Sequence, residues 1–205
     1  MHLTRAALNK AVPLPRKGSK YIARPMSHLQ TSISVLVAVR DMLKLAHTTR
    51  EVRHMIKQKL LKINGRDVKD VRQPIHILNL FDADKRYKLI LLPTKRFFLE
   101  ETSDKTRIAK IIGKKVINGG LIQFNFHDGT NILSKERFPV GDSVLLNTDN
   151  TVSKVIPLNK GSHAFIYSGR NVGLKGSIAA REDKQISIKL SDRLVSLGEG
   201  HVIAV

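Results

Sequence analysis

The chain has 205 residues, with 36 Lys and Arg against 17 Asp and Glu, a formal net charge of +19 and no cysteine. The missing thiols exclude a disulfide framework, a thiolate zinc site, a Cys nucleophile and an iron–sulfur cluster, while the charge makes a polyanion the default partner. Hydrophobic residues are 41% of the chain, enough for packed cores, yet no apolar run nears the ~20 residues that cross a bilayer. The N-terminus also lacks the apolar stretch of a secretory signal. A soluble, cytoplasmic protein is the expectation.

Residues 1–30 carry Arg5, Lys10, Arg16, Lys17, Lys20 and Arg24 with no acid, together with Pro13, Pro15 and Pro25. Such a segment has no apolar period with which to offset its ordering entropy. It reads as a basic arm, mobile when free, that orders along phosphates.

Residues 31–74 read as a small helical module. Leu36, Val39, Leu43 and Ala46 have helical spacing, so a first helix is expected over residues 33–46. Thr48-Thr49-Arg50-Glu51 matches a capping box and opens a second helix. Val52, Met55 and Ile56 line one side of it, and Arg50, Arg53, His54 and Lys57 line the other. Solvated faces usually mix signs; this one carries no acid, which favours contact with nucleic acid. Asn64-Gly65, between short β-prone stretches, then predicts a hairpin, because both turn positions need a positive φ.

Residues 75–158 read as an all-β domain. Ile122, Phe124 and Phe126 alternate with polar residues, and turns are expected at Asp128-Gly129, Pro139-Val140-Gly141-Asp142 and Asn147-Thr148-Asp149-Asn150. Thr102-Ser103-Asp104-Lys105 reads as an exposed connection inside it. In residues 159–205, Phe165-Ile166-Tyr167, a loop punctuated by Gly169, Gly173 and Gly176, and the alternating Ile186, Ile188 and Leu190 predict a very small barrel. The charge is uneven along these segments, with a net of +12 in residues 1–74, +4 in 75–158 and +3 in 159–205.

Thr48 to Val68 resembles the S4-type RNA-binding domain, through Glu51, Val52, Arg53, Ile56, Lys57, Gln58, Ile63, Asn64, Gly65 and Arg66. Thr49 stands where a basic residue is frequent in that domain, and Lys59 where a glycine precedes the hairpin. Gly161, Gly169, Gly173 and Gly176 around an apolar strand–loop–strand resemble a KOW motif. In this order, with a β domain between them and a basic arm ahead, the modules resemble the S4e family of archaeal and eukaryotic small-subunit ribosomal proteins. His2-Leu3-Thr4-Arg5, Val39-Arg40-Asp41-Met42-Leu43-Lys44 and Val140-Gly141-Asp142-Ser143-Val144 fit that family as well. Many members continue into a basic tail beyond the point where this sequence stops, and no contact of that tail is carried over.

The sequence matches none of the catalytic motifs that its residues suggest, although spacing alone does not exclude a Ser/His/Asp arrangement. Lys175 precedes Gly176 rather than Ser or Thr, so the glycine-rich loop is not a P-loop. The eight histidines are scattered without H-E-x-x-H, and no G-x-S-x-G elbow is present. A pseudouridine synthase would carry Gly-Arg-Leu-Asp; the nearest strings are Gly65-Arg66-Asp67-Val68 and the misordered Ser191-Asp192-Arg193-Leu194. An RNA-modifying enzyme of the pseudouridine synthase type and a non-ribosomal translation or assembly factor are the alternatives.

The expectation is therefore an α+β, multi-module structural constituent of the small ribosomal subunit, with no enzymatic activity, cofactor, metal, small-molecule substrate or membrane contact. Its partners would be ribosomal RNA and neighbouring small-subunit proteins. The candidate RNA-binding residues are Arg50, Arg53, Lys57, Lys62 and Arg66, followed by Arg5, Arg16, Lys17, Lys20 and Arg24.

Overall fold

The computed structural model describes residues 3–27, 29–117, 119–182, 185–190 and 193–205. The readings that involve His2, His28, Ser191 and Asp192 lie outside the described residues. The chain forms two compact units that meet in sequence at 104/105.

The first unit opens with β1 (Leu3–Thr4) and β2 (Tyr21–Ile22), which pair antiparallel and close residues 5–20 into a loop. The expected mobile arm is thus a docked loop. Leu3, Ala11, Val12 and Pro25 are buried, and the Ala11 carbonyl accepts from the Phe97 N–H at 2.8 Å. Apolar residues without a period still anchor a segment when each finds its own site.

Of the helix expected over 33–46, residues 35–42 are helical, wound wide as a π-helix at Val37–Met42, where the Leu43 N–H reaches the Ala38 carbonyl, while β3 (Ser32–Ser34) takes its first residues. Val35, Val37, Ala38 and Val39 are each 2% exposed or less. The segment's β-branched Val35, Val37 and Val39 disfavour a regular α-helix. Lys44, at φ +56°, ends it.

Helix α1 spans Thr49–Lys57 as expected, and its cap forms: Thr48 Oγ1 accepts from the Glu51 N–H at 3.3 Å, and Glu51 Oε2 accepts from the His47 N–H at 2.8 Å. The His47 N–H, together with the Thr48 hydroxyl that donates to Glu51 Oε1 at 2.8 Å, holds the Glu51 carboxyl below the usual carboxylate range. At the other end Lys59 N donates to Ile56 O and Leu60 N to Met55 O, a Schellman closure. Lys59 itself sits at φ +58°, which explains the glycine of the S4-type pattern at this position.

The hairpin follows, with β4 (Lys62–Ile63) and β5 (Arg66–Asp67) joined by Asn64 and Gly65 at φ +51° and +79°. Then come β6 (Pro74–His76), which pairs with β3, β7 (Leu80–Asp82), β8 (Arg86–Leu91) and β9 (Phe97–Glu101). The sheet order is β5-β4-β7-β8-β9. It runs across the boundary expected at 74/75, because Ile63 pairs with Phe81 and Lys62 with Asp82. The connection at Thr102–Lys105, read as internal to a β domain, falls where the two compact units divide.

In the second unit, β10 (Thr106–Val116), β11 (Ile122–Phe126), β12 (Asn131–Ser134), β13 (Ser143–Asn147) and β14 (Val152–Ile156) form a sheet of order β12-β11-β10-β13-β14. Alternate residues Ile122, Phe124 and Phe126 enter a core with Ala109, Ile111, Phe138, Val144 and Leu146. Phe124 meets Phe138 with tilted rings 5.1 Å apart. Arg107, 1% exposed, forms an ion pair with Asp128 and donates to Asn150 Oδ1 at 2.7 Å.

The last strands are β15 (His163–Ile166), β16 (Lys175–Glu182), β17 (Gln185–Lys189), β18 (Leu194–Gly198) and β19 (Val202–Ala204), in the order β18-β17-β16-β15-β19. A register shift between Ile178 and Ala180 adds local twist. The sheet curls but stays open, with β18 and β19 as its edges, rather than closing into the expected barrel. Gly176 allows close packing here, since a Cβ would lie 2.6 Å from the Lys189 carbonyl. Lys110, 3% exposed, donates to the carbonyls of Glu199 and Val202 and so ties β10 to the start of β19. The described residues are mostly β with few helices, rather than the α+β expected.

Candidate nucleic-acid interface

The first unit holds most of the positive charge, and α1 organises it. The cap fixes where α1 begins, and Val52, fully buried, fixes its rotation. Val52 inward places Arg50, Arg53, His54 and Lys57 outward, and all four are exposed. The ridge expected from the sequence therefore exists as a surface.

The hairpin residues are less alike. Arg66 is exposed beside the turn. Lys62 is also exposed, but its register partners are Asp67 and Asp82. Asp82 is taken up by Arg86 at 2.6 Å, and Asp67 lies 4.0 Å from Lys59. Lys62 thus stands across from two acids that each face another cation.

The N-terminal candidates also separate. Arg5 Nε donates to the Ser19 carbonyl at 2.9 Å, and its other nitrogens reach the Pro15 carbonyl and Ser19 Oγ. Its guanidinium holds the loop shut. Gly18 makes room for it, since a Cβ there would lie 2.7 Å from the Arg5 guanidinium. Arg16, Lys17 and Lys20 are exposed, with Lys20 Nζ 5.5 Å from the centre of the Tyr21 ring, and Arg24 is half-buried.

Two clefts flank α1, and both use Arg53 and Arg72. One, of about 510 Å³, is lined by Arg53, Ile56, Lys57, Lys69, Asp70, Val71 and Arg72. The other, of about 480 Å³, reaches from Arg53 and Arg72 past Arg40 and Asp41 to Lys17 and Tyr21, with Leu14, Ile22 and Leu36 in its lining. Cations outnumber acids in both. Asp41 is neutralised locally by Arg40, which grips it with two bonds of 3.0 and 2.9 Å. Asp70 lies 3.6 Å from Arg72.

Arg40, Lys69 and Arg72 were missed in the sequence. Arg40 lies in the segment read as a regular helix, and Lys69 and Arg72 lie in a connection with no motif. Only the fold brings them beside Arg53. Among the described residues no group of three or more His, Asp or Glu is placed to hold a metal ion, and no helix is long and apolar enough to cross a membrane.

Comparison with known proteins gives one family. Residues 83–151 match the pattern described as "Ribosomal family S4e". The small ribosomal subunit protein eS4 of Methanocaldococcus jannaschii is 33% identical over 189 residues, covering 84% of this chain and 78% of that protein. The eS4 of Ignicoccus hospitalis is 31% identical over 197 residues, covering 86% and 77%. Among solved structures, the 30S ribosomal protein S4e of Thermoplasma acidophilum superposes with a TM-score of 0.72 at 22% identity, over 85% of this chain and 95% of that one.

Proposed function

Since the chain belongs to the S4e family of small-subunit ribosomal proteins, which are structural and not enzymes, we propose that it binds ribosomal RNA and stabilises its fold within the cytoplasmic ribosome. Ribosomal RNA and neighbouring small-subunit proteins are its partners in this reading. The observation that carries it is the single-sign face of α1: Arg50, Arg53, His54 and Lys57 are all exposed on the side opposite buried Val52.

Double-stranded RNA presents phosphates and 2′-hydroxyls and hides its base edges in a deep groove. A convex basic helix beside a hairpin suits that surface. Arg50, Arg53 and Arg66 supply planar donors that take a phosphate in two bonds, and Lys57 and Lys62 supply point charges. Arg16, Lys17, Lys20 and Arg24 extend the contact along the docked loop, whereas Arg5 shapes that loop from within. Backbone contacts of this kind set position and register without reading sequence.

Gradient sedimentation tests the reading. Tagged protein should travel with mature small subunits at moderate salt and stay with them at high salt. Recovery only with immature particles, or complete release by the high-salt wash, would identify an assembly factor instead.

A further inference from the structure

The two clefts beside α1 differ in one respect that the ridge does not explain. The outer one has no aromatic residue in its lining, and the inner one continues past the shared Arg53 and Arg72 to Tyr21, with Leu14, Ile22 and Leu36 beside it. Tyr21 is 52% exposed, with Lys20 Nζ 5.5 Å from the centre of its ring, in a chain with only three tyrosines and no tryptophan. A half-exposed aromatic ring beside a row of cations is a stacking platform for an unpaired base. A continuous duplex would reach Arg53 and Arg72 with its phosphates but has nothing to place behind them.

We infer that the inner cleft takes a single unpaired nucleotide of the bound RNA. Its phosphate lies between Arg53 and Arg72, and its base enters the cleft against Tyr21. Arg40, with its charge shared with Asp41, and Lys17 border the entry. The volume of about 480 Å³ falls within the range of sites that enclose small organic ligands. RNA-binding modules commonly recognise bulged bases by stacking them on aromatic rings. This inference rests on the RNA-binding reading above and adds to it a preference for RNA with a break in its pairing.

The test uses the full chain and three synthetic RNA hairpins: one continuous, one with a single bulged adenosine, and one with an abasic bulge at the same place. The bulged adenosine should bind about tenfold more tightly than either of the others, within the range of one base stacked on an aromatic ring. Tyr21→Phe should keep the preference. Tyr21→Leu, which preserves apolar bulk in β2, should abolish it while binding the continuous hairpin as the unaltered protein does. That retained binding shows that the variant is folded. Equal affinity for the adenosine and abasic bulges would overturn the inference and leave a phosphate clamp. Equal affinity for all three hairpins would overturn it while the RNA-binding reading stands. Failure to bind any of them would overturn both.

Discussion

Asn64 holds both polar groups of Leu80: its side-chain oxygen accepts from the Leu80 N–H at 2.9 Å, and its own N–H donates to the Leu80 carbonyl at 2.9 Å. The residue that makes the hairpin turn therefore also fastens that turn to β7. Asn64 is only 6% exposed, so the Leu80 N–H has no ready access to water if the side chain is removed. Asn64→Gly keeps the left-handed turn and should cost about 1–3 kcal/mol through the orphaned donor. Asn64→Ala should cost more, because alanine tolerates φ +51° poorly. Urea denaturation of the two variants measures both, and a neutral Asn64→Gly would refute the second role.

Lys59 offers the opposite effect. It occupies the left-handed closing position of α1 at φ +58°, where a side chain costs roughly 1–2 kcal/mol. Its contact with Asp67, at 4.0 Å between exposed groups, returns little. Lys59→Gly should stabilise the protein by about 1 kcal/mol, seen as a raised thermal midpoint. RNA affinity should fall only slightly, since one surface charge is lost.

The ridge can be tested through salt. Changing Arg50, Arg53 and Lys57 together to Glu leaves buried Val52 in place, so α1 should still dock. If the three neutralise phosphates, the slope of log affinity against log salt should shrink by roughly 2 or more, for every RNA sequence alike. A folded triple variant with an unchanged slope would show that the ridge is solvated surface.

The buried Arg107–Asp128 pair predicts a response to acid. Burial would raise the Asp128 pKa, but the Arg107 charge, with His127 and the Thr130 hydrogen bonds, leaves it below the usual carboxylate value. A carboxyl depressed on folding contributes stability above its unfolded pKa and loses it as pH falls through the folded one. Asp128→Asn strands the guanidinium and should cost about 3–5 kcal/mol at neutral pH. The variant and the unaltered protein should converge in stability as pH drops below about 4, which calorimetry across pH 2–7 would show.

What the sequence disclosed was local. The Thr48–Glu51 cap, the Asn64-Gly65 turn and the alternation of Ile122, Phe124 and Phe126 each depend on residues within a few positions of one another. The strand at Ser32–Ser34 was hidden because its partner is Pro74–His76, some forty residues away. The docking of residues 3–22 was hidden because Leu3, Ala11 and Val12 are too sparse to register as a pattern. The same distance effect concealed Arg40 and Arg72 beside Arg53. Charge along the chain pointed to the basic face of α1; only pairing between strands could assemble the cleft beside it.

Lys110 couples the end of the chain to the middle of the second unit. Its amine on β10 donates to the carbonyls of Glu199 and Val202, about ninety residues farther on, and burial lowers its pKa to about 8 although the Glu199 charge works the other way. β19 also pairs with β15. Fraying of β19 would therefore cost more than its own ladder, because it would take from a buried amine the acceptors that β10 cannot replace.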